Sequence, residues 1–168
     1  MKNYILSFIL LFAVGVLPSC SPNEDVTFPD NPCLIPDINN TFKLCKPMKV
    51  IVDKQKYIIP KDFQTDLASI PRVLWSIYSP LDSKTIIPAI LHDYLYQCPK
   101  TSSKYQFPEK LTRKKIDSIF YSSLIDNMVN PIVAYQYWIA VRLGGSSHFN
   151  QGNDCAIESK EDNKKISN

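Results

Sequence analysis

The sequence "LHDYLY", from Leu91 to Tyr96, brings together residue types that can transfer protons or bind cations. It contains His92, one of only two histidines in the chain, followed directly by Asp93. In a helix with about 3.6 residues per turn, His92 and Tyr96 lie on the same face and Asp93 points about 100° away. We therefore expect one helix to present a base and a carboxylate to neighbouring parts of one pocket. The polar edge of an ordinary amphipathic helix would contain the same residue types.

A second carboxylate, Asp117, lies among apolar residues of another predicted helix. Because aspartate seldom occupies a half-buried helical position alone, Asp117 should have a polar partner. The candidates are His92, Tyr96 and Arg113, the last of which precedes Asp117 by one helical turn. We interpret His92, Asp117 and Tyr96 as the candidate catalytic residues.

A further polar group precedes the histidine helix, in "DFQTDLASIPRVLW". Asp66, Ser69 and Arg72 interrupt apolar positions there, and we interpret them as a network for substrate binding or for structure. Asp66 is also a candidate to bind a metal together with Asp93. Alternatively, Asp66 and Ser69 cap a short helix that begins near Leu67.

Hydrophobic periodicity predicts the elements that position these residues. Two β-rich runs, Lys49–Val52 and Lys56–Ile59, flank a polar turn and indicate a hairpin. Apolar residues at helical spacing indicate three helices: about 84–97 with Ser83 as N-cap, from a Thr112 cap to about Met128, and from an Asn130 cap to Gly144. The predicted fold class is α+β and mainly helical, a small β-hairpin followed by about three packed helices.

The first residues resemble a bacterial lipoprotein signal. A short apolar run ends in "LPSC", and by this resemblance residues 1–19 form a signal peptide that is removed before Cys20. Cys20 would then carry lipids and anchor the protein to a membrane of the bacterial cell envelope. A signal anchor or an ordinary secretory signal is the alternative, because Pro18 and Ser19 also suit ordinary cleavage.

Composition divides the remainder of the chain. Residues 20–47 are rich in Pro, Asn and Asp, which indicates a tether and an irregular N-terminal arm. Residues 48–156 contain the predicted hairpin and helices, and we expect them to form one globular domain. Residues 157–168 are charged and polar and are predicted to form a disordered tail.

Export would place the remaining cysteines in an oxidising compartment, where disulfides persist. These are Cys33, Cys45, Cys98 and Cys155, an even number that allows three pairings. A Cys33–Cys45 loop together with a Cys98–Cys155 bond is one of the three. A zinc site is less favoured, since no pair has the C-x2-4-C spacing.

The charge balance argues against nucleic acid as a partner. Lys and Arg total 19 against 16 Asp and Glu, and a net charge of +3 is too small to indicate a nucleic-acid surface. The sequence contains no signal for a particular oligomeric state.

Four spaced motifs resemble one bacterial family. They are "IPKDFQTDLASIPRVLW", "HDYLY", "RKKIDSIF" and "YWIAVRLGG". In this order, over about residues 58–145, they look like the phage-associated family catalogued as domain of unknown function 1353. The resemblance implies membership of that family, which supplies no established activity.

The "HDYLY" motif also resembles the H-D-x-x-Y signature of secreted phospholipases A2. That resemblance implies that His92 deprotonates the attacking water and that Asp93 binds Ca²⁺. Asp117 would fix the histidine tautomer, and Tyr96 would hydrogen-bond to that carboxylate. The sequence departs from those enzymes because it has no glycine between residue 20 and the helix, where they have a Ca²⁺-binding glycine-rich loop. Either other oxygens, such as those of Asp66, hold the metal or no metal binds.

Two main function classes follow from these residues. The first is a membrane-anchored envelope hydrolase that uses a His–Asp site, with or without a metal, on a lipid or another envelope ester. The second is a non-catalytic, phage-derived envelope lipoprotein that binds a partner at the membrane surface and uses the same residues for structure. Cell-wall hydrolysis has less support, because the sequence has neither a paired acidic site nor zinc-ligand spacing. Convergence of His92, Asp93, Asp66 and Asp117 beside an open cleft would favour the first class.

Overall fold

The computed structural model describes residues 24–38, 41–67, 82–98, 100–101, 111–149 and 154–155. Within these ranges the strands are β1 (Val26–Thr27), β2 (Leu34–Pro36), β3 (Phe42–Leu44), β4 (Met48–Val52), β5 (Gln55–Ile59), β6 (Gln64–Thr65), β7 (Lys100–Thr101) and β8 (Asp154–Cys155). The helices are α1 (Ser83–Gln97), α2 (Arg113–Asp126) and α3 (Pro131–Gly144), and a short 3-10 helix (Gly145–Ser147) follows α3.

Six of the strands form two antiparallel sheets, with the orders β1–β4–β5 and β2–β3–β6. Strands β7 and β8 form a separate parallel pair. The predicted hairpin is the β4–β5 pair, in which Val50 lies opposite Tyr57. Its loop consists of Asp53 and Lys54, whose φ angles of 50° and 67° are both positive, as a type I′ turn requires. The hairpin therefore forms without the glycine that usually marks such a turn.

The expectation of a mainly helical fold with one small hairpin is wrong. Two three-stranded sheets accompany the helices, so the protein has a small α+β fold. The strands that the sequence did not indicate are β1, β2, β3, β6, β7 and β8, each of only two or three residues. Strands this short contain too few positions for a period-two pattern, and their pairing depends on tertiary contacts instead.

The helices begin close to their predicted positions. Helix α1 is capped by Asp82, whose carboxylate accepts a hydrogen bond from the Lys84 amide at 3.0 Å, so the predicted cap at Ser83 is one residue late. Thr112 caps α2 and Asn130 caps α3, as predicted. Side-chain caps of this kind satisfy amide groups that have no partner inside the helix.

Helix α2 is central to the core, since it packs against α1, α3 and β1. The side chains of Ile116, Ile119 and Leu124 are completely buried on it. Asp117 lies in the same stretch and is also completely buried. The packing of α1 and α3 on α2 therefore decides which groups surround this carboxylate.

The N-terminal segment is fastened to α2 through Glu24, which is 5% exposed. Its carboxylate accepts hydrogen bonds from Lys115 Nζ at 2.7 Å, Ser122 Oγ at 2.8 Å and Ser118 Oγ at 3.0 Å. The Val26 amide, two residues on, donates to an Asp126 carboxylate oxygen of α2 at 2.7 Å.

A disulfide joins Cys33 to Cys45, which confirms the expectation of a disulfide and selects one of the pairings that the sequence left open for Cys33. The bond closes the β2–β3 hairpin, where the Cys45 amide also donates to the Cys33 carbonyl oxygen at 2.9 Å. Cys98 is disulfide-bonded as well. The side chain of Cys155, its expected partner, lies outside the described residues.

Several predicted features also lie outside the described ranges: the signal peptide, Cys20, Ser69, Arg72 and residues 157–168. Among the helices that are described, none is both long and apolar enough to cross a membrane.

Candidate active site

Asp117 is the centre of a buried hydrogen-bond network between the three helices. Its Oδ1 atom lies 3.0 Å from His92 Nε2 and accepts a 2.5 Å hydrogen bond from the Tyr96 hydroxyl, both residues of α1. Its Oδ2 atom accepts a 2.6 Å hydrogen bond from Arg142 Nη1 of α3. The carboxylate therefore holds α1 and α3 to α2 through polar contacts in an otherwise apolar region.

The pKa of Asp117 is lowered from its usual 3.8 by the balance of opposing effects. Burial raises the pKa, but the hydrogen bonds from His92, Tyr96 and Arg142 together outweigh it, so the net change is downward. An ionised carboxylate can only accept hydrogen bonds, so His92 Nε2 must carry the proton in this contact. In the neutral imidazole, Nδ1 is then the basic nitrogen.

Tyr96 acts as a hydrogen-bond donor in this network. Burial raises the pKa of its hydroxyl, and the neighbouring Asp117 raises it further. A Cβ atom at Gly145 would lie 2.8 Å from the Tyr96 hydroxyl oxygen, closer than real Cβ atoms approach. Glycine at this position is therefore what allows the end of α3 to approach Tyr96.

The His92 ring is fixed in its orientation by aromatic neighbours. Its centroid lies 4.0 Å from that of Tyr96 and 4.6 Å from that of Phe120, and the residue is 3% exposed. Packing and the Asp117 hydrogen bond thus hold the imidazole in one position, which is what a proton-transfer group requires.

Asp93 points away from the Asp117 network, as the helical spacing predicts. It accepts a short hydrogen bond from the Thr65 hydroxyl at the end of β6. The Thr65 oxygen in turn accepts a 3.1 Å hydrogen bond from the amide of Leu67, a residue with a positive φ of 54°. Asp93 therefore connects α1 to the turn that follows β6.

A cavity of 490 Å³ lies beside these groups. It is bordered by His92, Asp93 and Tyr96 of α1, by Asp66 after β6, and by Gly145 after α3. Asp117 does not line the cavity but contacts His92, which does. Of the four residues whose convergence would favour a hydrolase, three line this cavity: His92, Asp93 and Asp66. The fourth, Asp117, hydrogen-bonds to His92 and does not line the cavity.

The partners of Asp117 were predicted in part. His92 and Tyr96 were among the candidates and do contact it, whereas Arg113 instead donates to the Arg142 carbonyl oxygen at 3.2 Å. Arg142 was missed as a partner. The sequence indicated Arg142 only as part of the "AVRLGG" motif, and no spacing rule places residue 142 near residue 117.

The residues present do not fit a Ca²⁺ site of the expected kind. Calcium takes about six to eight oxygen ligands. Among the described residues, no group of three or more His, Cys, Asp or Glu side chains could hold a metal ion. Among these described residues, the carboxylates that line the cavity are Asp66 and Asp93, and Asp93 already accepts the Thr65 hydrogen bond. We therefore derive no chemical step through a metal.

These features define a small α+β protein with a buried carboxylate–histidine pair at the wall of a cavity. The sequence model of the family described as "Protein of unknown function (DUF1353)" matches residues 42–141, and the chain belongs to this family. The matched region contains Asp66, His92, Asp93, Tyr96 and Asp117. Searches of curated proteins and of solved structures found no match.

Proposed function

We propose that this protein is a hydrolase in which His92 is the general base for the attack of water on an ester bond. The observation that supports the proposal is the buried Asp117–His92 pair, 3.0 Å apart, at the wall of a 490 Å³ cavity. An ionised carboxylate on one ring nitrogen and a cavity beside the ring are the arrangement that a histidine base needs.

In the proposed reaction, Nδ1 of His92 takes a proton from a water molecule while the water oxygen bonds to the ester carbonyl carbon. The tetrahedral intermediate then breaks its bond to the alcohol oxygen. The imidazolium returns its proton to that oxygen, which yields an acid and an alcohol. Asp117 stabilises the transient imidazolium, and Arg142 keeps Asp117 ionised and in place.

We propose a lipid or another envelope ester as the substrate, and a bacterial cell envelope as the location. The support for the location is the lipoprotein-like signal, by which Cys20 would carry the membrane anchor. A lipid anchor would keep the cavity close to membrane esters.

The test is hydrolysis of soluble ester substrates and of phospholipid vesicles by the parent protein and by two histidine variants. His92→Gln should lower the rate by ~10²–10⁴, because glutamine keeps a hydrogen-bonding group but cannot accept the proton. His148→Gln is the matched control, since His148 lines the same cavity but is exposed and is not bonded to Asp117. Equal rates for the parent and His92→Gln, with both proteins folded, would contradict the proposal.

A second candidate function is a non-catalytic, phage-derived envelope lipoprotein that binds a partner at the membrane surface. It is favoured by the 3% exposure of His92, because a structural histidine is also deeply buried and fully bonded. Under this alternative, His92→Gln mainly destabilises the fold and the parent hydrolyses no ester. Asp93→Asn distinguishes the two candidate functions further, because it changes the cavity wall and leaves His92 in place. A changed rate of ester hydrolysis in this folded variant would favour the hydrolase.

A further inference from the structure

A second cavity, of 460 Å³, lies at the start of α2. Its lining includes the cationic residues Arg113, Lys114 and Arg142 and the hydroxyl residues Thr112 and Ser146. No acidic side chain lines it among the described residues. The cavity therefore has a positive wall with hydroxyl groups beside it.

Arg113 is the residue that points to a ligand. Its Nη2 atom donates to the Arg142 carbonyl oxygen at 3.2 Å, which fixes the guanidinium group. Its Nη1 atom is buried and has no hydrogen-bond partner in the described part of the chain. A buried donor on a charged group is costly to leave unsatisfied, and Arg113 thus has hydrogen-bonding capacity that the described residues do not use.

The other charges leave an excess of positive charge around Arg113. Arg142 is neutralised by its ion pair with Asp117, at 2.6 Å. Lys114 is exposed, and no ion pair is found for it within the described ranges. The first turn of α2 adds the positive end of the helix dipole near Thr112, which caps the helix.

We propose that this second cavity binds a phosphate group through Arg113 and Lys114. A phosphate carries up to about two negative charges and several acceptor oxygens, and arginine binds it through paired N–H donors. The phosphate belongs either to a free ion or to a phospholipid headgroup. This proposal does not depend on ester hydrolysis, because His92 does not line the second cavity.

The experiment is isothermal titration calorimetry at constant ionic strength with two probes, inorganic phosphate and a short-chain, water-soluble phosphatidylglycerol. The uncharged diacylglycerol of the same chain length is the control ligand. Binding of inorganic phosphate alone would identify the free ion, and tighter binding of the phosphatidylglycerol would identify a lipid headgroup.

Two variants locate the site. Arg113→Lys keeps the charge but removes the paired donors, and Lys114→Gln removes an exposed charge without touching the core. Each should weaken phosphate binding by about tenfold or more, the effect of losing one charge-assisted hydrogen bond. Lys56→Gln, an exposed lysine of β5 outside the cavity, should bind as the parent does. Absence of binding of both probes at millimolar concentration, or equal binding by all variants, would overturn the proposal.

Discussion

Asp117→Asn is the substitution that tests the buried network most directly. Asparagine has the shape of aspartate, but one of its two terminal atoms is an amide nitrogen, which only donates. Each Asp117 oxygen receives a hydrogen bond: Oδ1 from Tyr96 and His92, Oδ2 from Arg142. In either orientation, the amide nitrogen of asparagine faces at least one donor, and the charge that balances Arg142 is lost.

The expected cost can be estimated from the burial of the pair. Removing one partner of a buried ion pair costs about 3–5 kcal/mol, because the remaining charge is left without compensation. The Arg142 side chain is 30% exposed and can turn partly to water, so we expect the lower end, about 3 kcal/mol. For a chain of this length the melting temperature should fall by roughly 10 °C.

Urea unfolding at neutral pH and again in acid would measure this cost. The folded pKa of Asp117 lies below 3.8, so its stabilising contribution is complete above pH 3.8 and is lost as the pH falls through the folded pKa. The difference in unfolding free energy between parent and variant should therefore narrow in acid. Asp62→Asn, at an exposed turn position with positive φ, is the control and should change stability by less than about 0.5 kcal/mol. A variant as stable as the parent at neutral pH would refute the reasoning.

Three further predictions concern single positions. Gly145→Ala should destabilise the protein by about 1–3 kcal/mol, because the added Cβ clashes with Tyr96. Gly144→Ala is the control for thermal unfolding and should not destabilise the protein, because no atom lies near its added Cβ. Removing the Cys33–Cys45 disulfide by a double alanine substitution should cost about 2–4 kcal/mol in urea unfolding, and no loss would contradict a structural role. Cys20→Ala should abolish lipidation and release the protein from membranes, as fractionation of cells would detect; full membrane retention would argue against the anchor.

The part of the site that lies on one helix was predictable from the sequence. Because a helix repeats every 3.6 residues or so, His92 and Tyr96 must share a face and Asp93 must leave it, whatever the tertiary fold. The pairing with Asp117 was indicated by the cost of burying a lone carboxylate. These inferences rest on helix geometry and on the cost of desolvating a carboxylate. Neither argument requires knowledge of the tertiary fold.

The contacts that depend on how elements pack were not predictable in the same way. Arg142 contacts Asp117 only because α3 packs on α2 in one register. Arg113, which lies at helical spacing from Asp117, donates to the Arg142 carbonyl oxygen instead. The link between Thr65 and Asp93 depends likewise on the position of β6 beside α1. Side-chain spacing within one helix contains no information about these distances.

The binding of Glu24 to α2 leaves only a short segment between the folded body and Cys20. Cys20 and Glu24 are four residue steps apart, and an extended chain spans at most about 3.6 Å per residue, or roughly 14 Å. If Cys20 carries lipids as proposed, these four residue steps are the length of chain between the lipid and the folded body, because the chain is already bound to α2 at Glu24. Glu24 would then stay within roughly 14 Å of the lipidated residue, and the reach of the protein into the surrounding compartment would be set by the diameter of its folded body.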